Sequence, residues 1–293
     1  INENVALRVA EAQLQVIRSS VGTSEETAEM TRWQEQAGEG TALETRQARA
    51  SLGQSRASIP GVERNIGQAK DRITLLVGVA PGTLNDLLVK GGGIPKAPMK
   101  LATGIPADTL RHRPDVRSAE HSLMAAAALT RAAELEQLPS LSLSGSIGLE
   151  ALTTGTIFSP ELAAASAVGQ LTAPIFNGGR IRETIRAQSA REKQALIAWE
   201  ASVLGALSEV EDALIAVTKS DERLVLLADA TQAAREAESL ARLNFQAGQV
   251  DLLDVLVAQR TLLNLEESQV IAEGNRASAH IQLYKALGGG WTP

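Results

Sequence analysis

The residues able to do chemistry are few and scattered. His112, His121 and His280 are the only histidines. None stands in a His-x-x-x-His or His-Glu-x-x-His spacing, which would set two imidazoles on one helical face to hold a metal. Glu209, Glu211 and Asp212 crowd together within a helical pattern, where such a cluster reads as a solvated face. Arg111, Arg113 and Arg117 form a small basic cluster that reads as solvated or paired. The chain has no cysteine, so disulfide scaffolds, thiolate metal sites, iron–sulfur clusters and a cysteine nucleophile are excluded. There is no Gly-x-Ser-x-Gly elbow and no Gly-x-x-x-x-Gly-Lys-Ser/Thr loop, and the glycine triplets lack a strand-to-helix phosphate context. The expectation is no enzyme, no catalytic residue, no cofactor and no bound metal.

What positions these residues is helix. The 293 residues carry 28 Lys+Arg against 34 Asp+Glu, a net charge of −6. This mild acidity, with only three Trp, three Phe and one Tyr, gives neither a phosphate-binding footprint nor base-stacking platforms for nucleic acid. A compact core of this size normally draws on large aromatic side chains. An Ala-, Leu-, Gln-, Glu- and Arg-rich chain suits long helices instead. No run of 18 apolar residues exists, so no transmembrane helix is expected. The N-terminus, from Ile1 to Arg8, lacks the charged and apolar regions of a signal peptide. It reads as helix interior without a cap, so the chain is expected to begin inside a larger protein.

Residues 1 to about 37 read as one helix, stopped at Gly38-Glu39-Gly40. A second runs from about Thr41 to Val77, and Pro60 is expected to kink or divide it. Gly78 to Pro106, with Pro81, Pro95, Pro98 and a glycine triplet, reads as loop. Helix resumes at Arg113-Pro114-Asp115, with Pro114 suited to a first turn, and continues to about Gln137. Ser140 to Leu149 then alternates with period two. Leu141, Leu143, Ile147 and Leu149 share one parity and Ser140, Ser142, Ser144 and Ser146 the other, so a strand with one apolar and one small polar face is predicted. A weaker alternation covers about Ser166 to Phe176, after a linker with Thr153-Thr154-Gly155 and Ser159-Pro160. Arg180 to Phe245 holds no proline and only Gly205; at ~1.5 Å per residue it would span roughly 100 Å, which argues for a coiled-coil-like rod. A last helix runs from about Leu252 to Leu287.

The chain repeats itself at a constant offset of 210 residues. Gln36-Ala37-Gly38 matches Gln246-Ala247-Gly248, and Arg32, Leu43, Ala48, Leu52, Ser58, Ala69 and Gly78 match Arg242, Leu253, Ala258, Leu262, Ser268, Ala279 and Gly288. A shared tip with matched helix lengths on both sides argues for a duplicated helical hairpin. A single strand pair is marginal alone. Two readings fit it: strands of the ~9–11 residues that cross an outer membrane in a closed, tilted barrel, or a hairpin capping a soluble helical protein.

The motifs separate these readings. Arg113-Pro114-Asp115-Val116-Arg117 with Ala119-Glu120, Leu138-Pro139-Ser140-Leu141-Ser142-Leu143, Pro174-Ile175-Phe176-Asn177-Gly178-Gly179-Arg180, Glu209-Val210-Glu211-Asp212-Ala213-Leu214, Leu253-Asp254-Val255-Leu256-Val257-Ala258-Gln259-Arg260 and Leu283-Tyr284-Lys285-Ala286-Leu287-Gly288-Gly289-Gly290-Trp291 occur in order. With them the chain resembles the TolC-like outer-membrane efflux proteins, nearest the OprM/NodT-type branch, over the C-terminal three fifths or so of the usual chain. The resemblance implies a mainly α fold: long antiparallel coiled-coil-like helices forming an α-barrel, with one β-hairpin contributing to a trimeric outer-membrane β-barrel. The implied organisation is a first helical hairpin over 1–77, a linker or equatorial loop over 78–106, a helix leading to the barrel over 107–138, the β-hairpin over 139–176, the second long hairpin over 177–288 and a tail over 289–293. A homotrimer in the outer membrane of a Gram-negative bacterium, reaching into the periplasm, would serve as the passive exit duct of a tripartite pump for small molecules such as drugs. Its partners would be a periplasmic adaptor, an inner-membrane transporter such as an RND pump, and outer-membrane lipid. The remaining part of such a protein would hold the signal peptide, the lipidated Cys common in the branch and the first strand pair. The alternative is a truncated or soluble helical scaffold that forms no channel, favoured by the scarcity of aromatic girdle residues.

The resemblance also marks site residues. Around the second tip, Phe245, Val250, Asp254, Val257 and Arg260 correspond to the region that gates the channel. Asp254 matches a position where an acid lines the entrance, and Arg260 closes the matching Asp-Ala-Gln-Arg run. Phe245 stands where relatives carry an aromatic, often Tyr, and Val250 where some place an Arg. Val257 replaces a second Asp, so one polar ring becomes apolar. A carboxylate ring favours cations and can pair with Arg to hold a bundle shut. Read without the resemblance, Asp254 is a first-turn acid favoured by the helix dipole and Arg260 a solvated or salt-bridged residue. Ala37, Gly38, Ala247 and Gly248 are candidate adaptor contacts or simply turns, and Leu141, Leu143, Ile147 and Leu149 the candidate lipid face.

Overall fold

A computed structural model describes residues 2–89, 91–96, 111, 113–149 and 163–289. Its elements in chain order are α1 (Asn2–Ala37), α2 (Ala42–Val77), α3 (Asn85–Val89), α4 (Pro114–Leu135), β1 (Ser140–Leu149), β2 (Ala163–Thr172), α5 (Arg180–Gln246) and α6 (Leu252–Ala286). They divide into two compact units, residues 1–105 with 208–293, and residues 106–207. The 67-residue α5 contributes to both.

In the first unit α1 and α2 form an antiparallel hairpin, and α6 packs along α1. Many of the buried positions are small, among them Ala10, Ala28, Ala48, Ala69, Ala272, Ala277 and Ala279. Small residues let helix axes approach closely, which is how a chain with so few aromatics still packs. Gly274 of α6 shows the limit, since a Cβ there would sit 2.2 Å from a Val9 methyl of α1. Threonines fill other buried sites, and two of them donate to carbonyls one turn back: Thr27 to Thr23 at 3.0 Å and Thr74 to Lys70 at 2.6 Å. Such bonds remove the cost of an unpaired buried hydroxyl. Thr45 instead donates across the hairpin to the Thr31 carbonyl at 3.2 Å.

Two apolar clusters bracket the α1–α2 hairpin. One near the tips joins Ala28, Ala48, Phe245, Leu252 and Val255. The other joins Leu7, Ala69 and Leu88, so the segment expected to be plain loop contains α3 and docks through it. Buried Arg8 fastens that segment, donating from Nη2 to the Leu88 carbonyl at 2.8 Å while Nη1 pairs with Glu11 at 2.7 Å. Pro60 does not divide α2, which is one helix of 36 residues. A proline removes one amide bond from a ladder, and at an exposed position in a helix held along its length by α1 that loss does not break the element.

In the second unit Pro114 opens α4 at the first turn. Arg113, 7% exposed, grips Asp115 with both arms of its fork: Nε to Oδ1 at 3.1 Å and Nη2 to Oδ2 at 2.8 Å. Asp115 Oδ1 also accepts from the Val116 amide. The Arg113 bond is the largest reason the Asp115 carboxyl is held below the ordinary aspartate range. Of the basic cluster, then, Arg113 is a buried clasp, whereas Arg111 and Arg117 are exposed.

β1 and β2 pair antiparallel from Ser140↔Thr172 to Leu149↔Ala163. β2 therefore covers 163–172 rather than the expected 166–176. Its end is set by the start of β1, beyond which Ala173 and Pro174 find no partner, and the Ala163-Ala164-Ala165 start carries little strand signal of its own. Paired residues share a face, so Leu141, Leu143, Ile147 and Leu171 lie on one side and Ser142, Ser146, Ser166 and Gln170 on the other. Ser146 and Ser166 share a hydrogen bond at 2.9 Å. Leu141, Leu143 and Ile147 are 76%, 81% and 88% exposed. Leu149 ends β1, and its side chain lies outside the described residues, as do the linker 150–162, His112, Gly290 and Trp291.

Candidate functional site

The two helical tips carry the candidate residues, and their closing backbone bonds match at the 210-residue offset. At the first, the Gly38 amide donates to the Glu35 carbonyl at 3.1 Å and the Glu39 amide to Gln34 at 2.9 Å. At the second, Gly248 donates to Phe245 at 3.0 Å and Gln249 to Asn244 at 2.8 Å. This is the Schellman closure, whose turning residue must be left-handed; Gly38 and Gly248 have φ of 77° and 69°. The same pair of bonds ends α2 (Gly78 to Leu75, Val79 to Thr74) and α6 (Gly288 to Lys285, Gly289 to Tyr284). The helix starts match too, at Thr41 and Asp251.

The side chains at those starts differ. Thr41 and Glu44 form a reciprocal capping box: the Glu44 amide donates to Thr41 Oγ1 at 3.3 Å and the Thr41 amide to the Glu44 carboxylate at 2.7 Å. Asp251 makes no side-chain cap bond. Asp254, the counterpart of Glu44, receives only a backbone turn, its amide donating to the Asp251 carbonyl at 3.1 Å.

The five residues expected around the gate fall into two groups. Phe245 is buried in the cluster that joins the hairpins, and Val250 packs against that cluster. Asp254, Val257 and Arg260 are exposed along one stripe of α6. Among the described residues neither Asp254 nor Arg260 forms a salt bridge. Ala37, Gly38, Ala247 and Gly248 are exposed at the tips. Val257 and Arg260 line a groove of about 550 Å³ whose opposite wall includes Ser20, Ser24, Ser51 and Ser55. Glu267 lies in the same groove, where burial raises its carboxyl above the ordinary glutamate range. The sign is that of a destabilising carboxylate: its folded form binds a proton more readily, so stability rises as pH falls through that raised value.

Sequence reasoning missed the contacts that join the hairpins. Buried Gln259 donates from Nε2 to Thr27 Oγ1 at 2.9 Å, and Arg242 pairs with Glu26 at 3.0 Å. The offset that revealed the repeat could have found a third pattern. Glu25 and Arg56 pair at 2.6 Å between α1 and α2, and their counterparts Arg235 and Glu266 pair at 2.7 Å between α5 and α6 with the charges reversed. Among the described residues no cluster of His, Asp and Glu could hold a metal, and no helix is long and apolar enough to cross a membrane.

Comparison with known proteins places this architecture. Nodulation protein T of Rhizobium leguminosarum bv. trifolii is 29% identical over 302 residues, a match covering 100% of this chain and 63% of its own. The solvent efflux pump outer membrane protein SrpC of Pseudomonas putida is 31% identical over 285 residues, covering 97% of this chain and 60% of its own. The structure of the outer-membrane channel OprN matches with a TM-score of 0.90 at 32% identity, covering 100% of this chain and 65% of that one. The chain thus spans somewhat over half the length of these relatives, 60% to 65%. The outer membrane efflux protein family matches residues 105–289, and the chain belongs to that family, whose place is the Gram-negative outer membrane.

Proposed function

We propose that this chain builds part of the exit duct of a tripartite efflux system, through which small molecules such as drugs leave the periplasm passively. The observation that carries the reading is the β1–β2 pair. Both strands have ten residues, and they present Leu141, Leu143, Ile147 and Leu171 on one face and serines with Gln170, interrupted by Val168, on the other. A lipid-facing wall around a wet interior needs that length and that division. In three copies of the full protein, this strand pair and the first one together close an edge-free barrel. The chain carries no catalytic role in this reading. An inner-membrane transporter supplies the energy, and an adaptor grips the tips at Ala37, Gly38, Ala247 and Gly248.

At the second tip Asp254, Val257 and Arg260 form the pore-facing stripe, and Phe245 and Val250 act as the packing anchors on which that stripe turns. The uncapped start of α6 supports opening there, because a helix end without side-chain bonds is the easier one to move.

Expression of the full protein in a Gram-negative host lacking its own exit duct, together with adaptor and transporter, tests this. The expected result is protein in the outer-membrane fraction and restored resistance to dyes and drugs. Recovery in the soluble fraction, with no gain in efflux, would favour the soluble scaffold instead.

A further inference from the structure

The way the two hairpins dock within one chain predicts how one chain docks on the next. The second hairpin rests its α6 on α1 of the first, so the contact is head-to-tail: different faces of two similar objects. A head-to-tail contact between repeats leaves the complementary faces open at the two ends, and repeating it around an axis makes a ring. The 210-residue offset converts each contact within the chain into its counterpart between copies. Arg242 pairs with Glu26; their counterparts are Arg32 and Glu236, and both charges are kept. Gln259 meets Thr27, and Leu256 packs against the cluster that holds Ala28; the counterparts of Leu256 and Gln259 are Arg46 and Arg49, and those of Thr27 and Ala28 are Ala237 and Glu238.

Among the described residues of the chain, Glu236 accepts only from the uncharged Gln232, Nε2 to Oε1 at 2.8 Å. Arg32, Arg46 and Arg49 are exposed along one groove of about 550 Å³, and among the described residues none of them is in a salt bridge. Glu238 is 7% exposed, with Oε1 lacking any partner. That oxygen is already enclosed within its own chain, so Glu236, the exposed acid of the same helix, is the one open to a guanidinium from outside.

We infer that a second copy of this chain occupies the groove, with Arg32 on its Glu236 and Arg46 and Arg49 alongside the same helix of that copy. The subunit boundary is then a more charged version of the boundary inside the chain. This rests on the trimeric duct proposed above.

Thiol crosslinking in the full protein tests the register. An Arg–Glu pair holds its Cβ atoms farther apart than a disulfide bridges, so a short bifunctional maleimide is the probe. The 293 residues contain no cysteine, and single-cysteine variants set the background. Glu26→Cys with Arg242→Cys should crosslink within one chain. Arg32→Cys with Glu236→Cys should link chains into covalent trimers, roughly tenfold above background, because held neighbours react at high effective concentration. A protein that sediments as a trimer and crosslinks at 26/242 but not at 32/236 overturns the inference while leaving the duct intact. A protein that sediments as a monomer throughout overturns both. Charge reversal gives a second readout: Arg32→Glu should weaken the trimer, and adding Glu236→Arg should restore it. A double variant no more trimeric than the single one also counts against the pairing.

Discussion

The two helical hairpins share a backbone and differ in what they expose. Their helix starts, left-handed glycines and Schellman bonds coincide at one offset. Yet where the first has Glu35, Thr45 and Arg46, the second has Phe245, Val255 and Leu256. The first three line a charged groove; the second three pack in or against the cluster that joins the hairpins. A duplicated fold keeps the turns and buried small residues that define its geometry, and specialises the faces that meet neighbours. That is how one hairpin can be an anchor at a place where its twin is open.

Phe245 breaks the comparison most sharply. Phe245→Ala removes the largest side chain of the shared cluster and is expected to cost about 3–5 kcal/mol of stability, the usual range for a buried aromatic. Glu35→Ala, at the matching place on an exposed face, is expected to cost about 0.5 kcal/mol or less. Chemical denaturation of the two variants checks both. Equal losses would show that the two tips are packed alike.

The helix starts come next. Thr41→Ala deletes one half of the capping box, and a loss of about 1 kcal/mol is expected. Asp251→Ala removes no side-chain bond, only the favourable charge at the dipole's positive end, so a few tenths of a kcal/mol is expected. Hydrogen exchange at the first-turn amides sharpens this: those of α2 should be protected by the box, and those of α6 should exchange faster. The reverse order would remove the physical basis for placing the moving element at the second tip.

Much of this was legible in the residues. Glycine and proline punctuation in a helix-favouring composition located the long helices within a residue or two, and Ser/Leu alternation located β1 at its observed bounds. The second strand was misplaced because its register belongs to β1 and not to its own weak pattern. α3 was missed because five residues among prolines and glycines form a helix only when Leu88 has Leu7 and Ala69 to pack on and Arg8 to receive its carbonyl. The gate candidates were found through family motifs, but the sequence gives no sign that Phe245 points into a core while Asp254 points out. That distinction depends on which helix lies alongside, a tertiary fact with no local signature.

The smallest effect separates backbone from side chain most cleanly. Glu25–Arg56 and Arg235–Glu266 occupy matching places with opposite polarity. If the hairpin geometry alone brings the two positions together, polarity is free to invert. Each pair is substantially solvated, with the arginines 58% and 55% exposed, so breaking one is expected to cost only about 0.2–1 kcal/mol, less at high salt. Glu25→Arg should lose that amount, and Glu25→Arg with Arg56→Glu should recover it, because the second hairpin already holds the inverted arrangement. A double-mutant cycle measures the coupling directly. Recovery would establish that the duplicated frame selects the positions and leaves the sign of charge open. Failure to recover would mean that the neighbouring Arg46 and Arg49 fix the polarity of the first hairpin, through the same field that the next copy is inferred to meet.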